Sequence, residues 1–228
     1  MSNSAYRWMV AVPAFVVVAA FGVYLGTTHG APTALDRSVM DTVTGLRTPT
    51  LTSVIKDVTV IFSPVAVTIW TALLAAVLVW RDRSLVRALP VVATVAAAGI
   101  VGEAIKLAVS RPRPPAIDQL GAVEATYSYP SGHVMGTTAL VAAAVSVCAA
   151  SVGARVAAGC LAAATVVVCA ATRLYLGAHW VTDVLAAICV GVGVALVVPV
   201  VLAAVIGRLA PHLPAWVGVP AANAGSKA

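Results

Sequence analysis

Three short stretches place ionisable side chains beside apolar sequence. The first runs Lys106-Leu-Ala-Val-Ser-Arg111-Pro-Arg113-Pro114, and the second is Pro130-Ser131-Gly132-His133. The third runs Thr172-Arg173-Leu-Tyr-Leu-Gly-Ala-His179-Trp-Val-Thr-Asp183. The cations Lys106, Arg113 and Arg173 would repel one another at one place unless a multiply charged anion lay between them, and a phosphate group fits. Lys106 by itself also reads as a side chain snorkelling to the headgroups. Counted around a helix, Arg111 lies about 140° from Lys106 and Arg113 within about 20° of it. That selects Arg113 as the partner and predicts that Arg111 faces the headgroups. Pro112 and Pro114 must end the helix nearby.

His179 and Asp183 are four apart, a spacing that puts both on one helix face. A carboxylate on one imidazole nitrogen fixes the tautomer and leaves the other nitrogen free to attack. A structural His–Asp hydrogen bond satisfies the same spacing. In the middle stretch Ser131 suits an N-cap and Gly132 allows close backbone approach. The N–H groups of a helix start bind anions. Pro130-Ser131-Gly132-His133 is therefore either a plain cap and turn or an anion cradle with His133 at its edge. One imidazole attacking phosphorus and a second protonating the leaving oxygen would complete a hydrolase. The other two of the four histidines, His29 and His212, fall in predicted loop and tail and take no role. Glu103 is predicted to pair with Lys106 at i,i+3; meeting a substrate hydroxyl or lining the lipid's path are the other readings.

These stretches need elements to hold them. The 228-residue chain is 61% hydrophobic and 10% charged, with a mean hydropathy of +1.01, so it reads as an integral membrane protein. Apolar runs predict six spans, at about 8–26, 58–80, 89–109, 134–150, 156–171 and 180–206. The first is read as a retained anchor rather than a cleaved signal. Between the first two spans, Leu35, Val39, Val43 and Leu46 share a helical face, with Asp36, Arg37 and Asp41 off it. Thr33 and Asp36 resemble a capping box. This predicts an amphipathic helix at the membrane interface, or else a helix in a soluble loop. No linker divides the chain, so residues 1–228 read as one domain with a flexible tail at 207–228. The fold class is all-α and polytopic.

The net charge of +6 is spread among apolar spans, which argues against nucleic acid as a partner. Cys148, Cys160, Cys169 and Cys189 lie in apolar spans and read as buried small hydrophobes, without metal or disulfide spacing. The loop 115–129, with Asp118, Glu124, Tyr127 and Tyr129, reads as solvent-exposed, with a lid over the site as the alternative. With the N-terminus inside, Arg7, Arg81, Arg83, Arg87, Arg155, Arg208 and Lys227 fall inside. Arg37, Arg47, Lys56, Lys106, Arg111, Arg113 and Arg173 fall outside. The tie breaks because the motifs claim three of the outer cations and because the compact Arg81-Asp82-Arg83 and Arg87 group is the strongest cytoplasmic signal. Both termini are then predicted to be cytoplasmic, with the polar stretches at the outer face of the cell membrane.

In order and spacing, the three stretches resemble the signature of the type 2 phosphatidic acid phosphatase (PAP2, lipid phosphate phosphatase) family: Lys-x6-Arg-Pro, Pro-Ser-Gly-His and Ser-Arg-x5-His-x3-Asp. The departure is Thr172 in place of Ser. The resemblance implies a metal-independent, cofactor-free phosphatase with a phosphohistidine intermediate. His179 would be the nucleophile, Asp183 its orienting carboxylate and His133 the proton donor. Lys106, Arg113, Ser131, Gly132 and Arg173 would hold the phosphate. The expected partner is a membrane lipid, either a polyprenyl diphosphate or a glycerophospholipid phosphate. The alternatives are a lipid phosphotransferase and a non-catalytic lipid-binding or transport protein. Oligomeric state is not readable from sequence.

Overall fold

The computed structural model describes residues 3–121 and 126–209; Glu124, His212 and Lys227, and with them most of the predicted tail, lie outside the described residues. It is all-helical. In chain order the helices are α1 (Asn3–Thr27), α2 (Ala34–Gly45), α3 (Pro49–Val60), α4 (Pro64–Asp82), α5 (Ala88–Val109), α6 (Gly132–Cys148), α7 (Val152–Tyr175) and α8 (Val181–Leu209). Among the described residues, α1, α4, α5, α7 and α8 are long and apolar enough to cross a membrane, and α6 is a shorter apolar helix of 17 residues. At 1.5 Å per residue α6 rises about 26 Å, just under the hydrocarbon thickness of a bilayer. These six correspond to the expected spans.

α8 is the central post, packed against α1, α5 and α6. Small residues bring the backbones together: a Cβ on Gly191 would sit 2.7 Å from Thr138 Cβ of α6. Outward-facing side chains such as Val16, Ile69, Leu73, Ile100 and Leu161 are apolar and exposed. An apolar exterior of this kind suits contact with lipid tails. Cys148 and Cys160 belong to that exposed surface; of the four cysteines expected to be buried, Cys169 is buried and Cys189 half-buried.

The second predicted span is corrected at its start. The apolar run from residue 58 is broken at Ser63, whose hydroxyl accepts from the Ala66 amide, with Pro64 as the first helical residue. Residues 58–60 end α3, which packs against α7 instead of spanning with α4. The amphipathic helix forms as α2, with the predicted Thr33–Asp36 capping box in place. Leu35 and Leu46 face outward, but Asp36 and Met40 are buried against the bundle, where α2 meets α7 and α8. The edge expected to meet water thus carries a carboxylate inward.

Candidate active site

The polar stretches converge at one end of the bundle. Lys106 lies in the last turn of α5 and Arg173 in the last turn of α7, while Asp183 lies in the first turn of α8. Ser131 occupies the N-cap position of α6 and its amide donates to the Asp183 carbonyl at 3.3 Å, tying the second and third stretches together. The Ser131 hydroxyl does not cap the helix; it is buried and has no hydrogen-bond partner among the described residues. A buried hydroxyl at a helix start is placed to donate to an anion bound there. His133 is half-buried in the first turn of α6. The open side of Gly132 faces the Lys106 ammonium, which would stand 3.6 Å from a Cβ there. Lys106 pairs with Glu103 at 3.0 Å, as predicted.

His179 sits in the turn before α8 and is fully buried. Its Nδ1 lies 2.8 Å from the Ser128 carbonyl, which can only accept, so Nδ1 carries the proton. Nε2 then presents its lone pair and accepts from Arg113 Nη1 at 3.1 Å. Arg113 is held by the carbonyls of Ala178 and Thr126, each at 2.7 Å. Gly177 makes the turn possible: its φ is +66°, and a Cβ would stand 2.1 Å from the Asp118 carbonyl oxygen.

Asp183 stands beside His179, its Oδ2 3.7 Å from Nδ1, at ion-pair distance and beyond the reach of a direct hydrogen bond. α8 starts at Val181, so the pair flanks a helix start rather than sharing a helix face. The same Oδ2 accepts from the Ser128 hydroxyl and, at 2.9 Å, from the Trp180 amide. Asp183 therefore holds Ser128, and Ser128 holds the imidazole.

Arg111 corrects a second expectation. It is wholly buried and does not face the headgroups. Ser110, in the left-handed conformation (φ 51°), ends α5, so angles counted past Val109 no longer apply. The guanidinium donates to Asp183 Oδ1 at 2.5 Å, to Asp36 Oδ2 at 2.7 Å, to Thr182 Oγ1 at 2.7 Å and to the Gly30 carbonyl at 3.3 Å. Asp36 also accepts from the amides of Thr182 and Thr33, at 3.0 and 2.9 Å. Burial would raise the Asp36 carboxyl, but these bonds together with Arg111 hold it below its usual range. Farther along this wall, Arg47 donates to the Tyr175 and Asp118 carbonyls at 2.8 Å each, and Thr59 accepts from Arg173 Nη1 at 3.2 Å.

The PAP2 superfamily profile matches residues 87–206, more than half of the chain. The chain belongs to the PAP2 superfamily. The PAP2 fold is seen also in the match to the crystal structure of a transmembrane PAP2 type phosphatidylglycerolphosphate phosphatase from Bacillus subtilis. The TM-score is 0.71 at 19% identity, over 83% of this chain and 96% of that one. No curated protein matches the sequence. Of the residues that reading the sequence missed, Ser128 and Arg111 fall inside the PAP2-matched region, whereas Asp36, Arg47 and Thr59 precede it. A buried Arg held by two carboxylates had one visible trace in the sequence, the capping Asp36 at the start of an amphipathic helix.

Burial pushes the His179 imidazole below its ordinary value; Asp183 opposes this, and Arg113 and Arg173 reinforce it. The neutral ring thus persists below the usual histidine value of about 6.5. If neutral His179 is the attacking group, the acid limb of kcat/KM lies below that value. Arg113→Gln removes a cation from beside Nε2, so the limb moves to higher pH. Comparing pH profiles of the two proteins on one substrate cancels the substrate's own titration; a limb that stays in place contradicts this electrostatic coupling.

Proposed function

We propose that the protein is an integral membrane lipid phosphatase that hydrolyses a lipid phosphate monoester or diphosphate through a phosphohistidine on His179. The observation that carries this reading is the imidazole geometry, with Nδ1–H fixed on the Ser128 carbonyl and the Nε2 lone pair beside Arg113. Nε2 attacks phosphorus, the N–P bond forms as the P–O bond to the lipid breaks, and His133 gives its proton to the leaving oxygen. Water then attacks phosphorus, His133 takes its proton as the N–P bond breaks, and phosphate leaves with the His179 imidazole restored. Lys106, Arg113 and Arg173, with the Ser131 hydroxyl and the Gly132 amide at the start of α6, bind the phosphoryl oxygens and stabilise the charge that spreads over them. Phosphatidylglycerolphosphate, the substrate class named for the Bacillus subtilis protein, joins polyprenyl diphosphate among the substrates to test. The site faces the outer side of the cell membrane and both termini face the cytoplasm.

Phosphate release by detergent-solubilised protein, on a panel of lipid monophosphates and diphosphates, tests the reading. At least one substrate turns over, and excess chelator changes the rate by less than about twofold, because the roles a metal would fill fall to cationic side chains. Turnover lost to chelator and restored by a divalent metal contradicts the mechanism. Absence of turnover on the whole panel contradicts the function.

A further inference from the structure

A cavity of about 500 Å³ opens between α3 and the C-terminal end of α7, within the size range of ligand sites. Lys56 and Thr59 of α3, Arg173, Leu176 and Ala178, and Gln119 of the preceding loop line it. Its described lining carries two cations and no carboxylate. Three further grooves among the described residues differ in kind. Those between α1 and α8, α4 and α5, and α6 and α7 are walled almost wholly by apolar groups.

The cavity is continuous with the candidate active site. Thr59 accepts from Arg173 at 3.2 Å, and the Ala178 carbonyl on the same wall holds Arg113 at 2.7 Å, one residue from His179. Lys56 is one helical turn from Thr59 on the α3 face that meets α7, and it is exposed. It forms no ion pair among the described residues. Moving outward from Nε2 along this wall, Arg113, Arg173 and then Lys56 supply positive charge. The first two already serve one phosphoryl group in the proposed mechanism, and the third stands at the open end. An apolar tail gains nothing from such a lining, whereas a second anionic group does.

We propose that this cavity binds a second phosphate carried by the substrate next to the one that is cleaved, with Lys56 as its cation and Thr59 and Gln119 as polar partners. The favoured substrates are then lipids bearing two phosphates, either as a diphosphate or as a phosphodiester followed by a terminal monoester. A lipid with one phosphate leaves the cavity unfilled. This rests on the proposed lipid phosphatase activity and narrows its substrate class.

The test measures kcat/KM for a prenyl diphosphate, for phosphatidylglycerolphosphate and for phosphatidate, at low ionic strength, with wild type, Lys56→Gln and Lys56→Arg. The preference of the wild type for either two-phosphate lipid over phosphatidate falls about tenfold in Lys56→Gln, the effect of one charge-assisted contact. Lys56→Arg restores it to within about threefold, since the guanidinium keeps the charge. A ratio within about twofold of wild type in Lys56→Gln overturns the subsite, as does a loss that Lys56→Arg fails to rescue. If the wild type releases phosphate from none of the three lipids, the phosphatase reading itself fails, a result distinct from an unchanged ratio.

Discussion

A His179→Ala variant is expected to release no phosphate above background on any lipid phosphate that the wild type cleaves, a loss of at least about a thousandfold. Alanine removes the proposed attacking atom, the Nε2 that stands beside Arg113 while Nδ1 is held on the Ser128 carbonyl. His133→Ala is expected to fail differently. Protonation of the leaving oxygen contributes about a hundred- to ten-thousandfold, and that contribution shrinks as the leaving group becomes more acidic. On an aryl phosphate, whose phenolate departs without a proton, His133→Ala should recover much of its rate in the first step while His179→Ala should not. The phosphoenzyme is the second readout. Quenched in alkali, where a phosphorus–nitrogen bond survives, wild type and His133→Ala should carry labelled phosphate, with more on His133→Ala because the water that resolves the intermediate has lost its base. Label on His179→Ala, or wild-type turnover by that variant, removes the phosphohistidine from the mechanism.

Site residues are legible in a sequence where their spacing is local, and the three stretches single out Lys106, Arg113, Arg173, His133, His179 and Asp183, which the fold brings to one end of the bundle. The supporting contacts were not legible, for separate physical reasons. Ser128 acts on His179 through its backbone carbonyl, an atom every residue has, so no side-chain pattern announces it. Helical angles do not locate Arg111, because the helix ends where Ser110 turns left-handed. Capping uses only part of the Asp36 carboxylate; its remaining acceptor sites take Arg111 and Thr182, partners 75 and 146 residues away. Such pairs form only when α2 folds back onto α8, and no local window contains both ends. The α3–α4 break is the opposite case. Ser63-Pro64 is a strong helix-start signal, overridden in the reading by an apolar run that continues through it.

Arg111→Lys is expected to lower kcat about 10- to 100-fold while changing KM by less than about threefold. The cluster of Asp36, Arg111 and Asp183 is fully buried and carries two negative charges against one positive. Breaking such a cluster outright costs about 3–5 kcal/mol, so Arg111→Met is expected to be poorly folded and uninformative about catalysis. Lysine keeps the charge, but a single ammonium cannot reproduce the guanidinium's separate bonds to two carboxylates, Thr182 and the Gly30 carbonyl. Asp183 is then free to shift, Ser128 shifts with it, and the carbonyl that orients His179 moves. A displacement of about 1 Å at the proposed attacking nitrogen is enough for a hundredfold loss, and because the proposed phosphate ligands are other residues, KM is expected to change little. Asp36→Asn separates positioning from mere stability. It keeps the shape of the side chain but removes one negative charge, leaving the buried cluster neutral behind His179. A more positive surrounding disfavours the imidazolium, so the acid limb of kcat/KM moves to lower pH, opposite in direction to the shift expected for Arg113→Gln. A residue that only held the fold together would lower the melting temperature and leave that limb where it was. Wild-type kcat in Arg111→Lys, together with an unmoved limb in Asp36→Asn, would show that the α2 wall stabilises the bundle and takes no part in aiming the nucleophile.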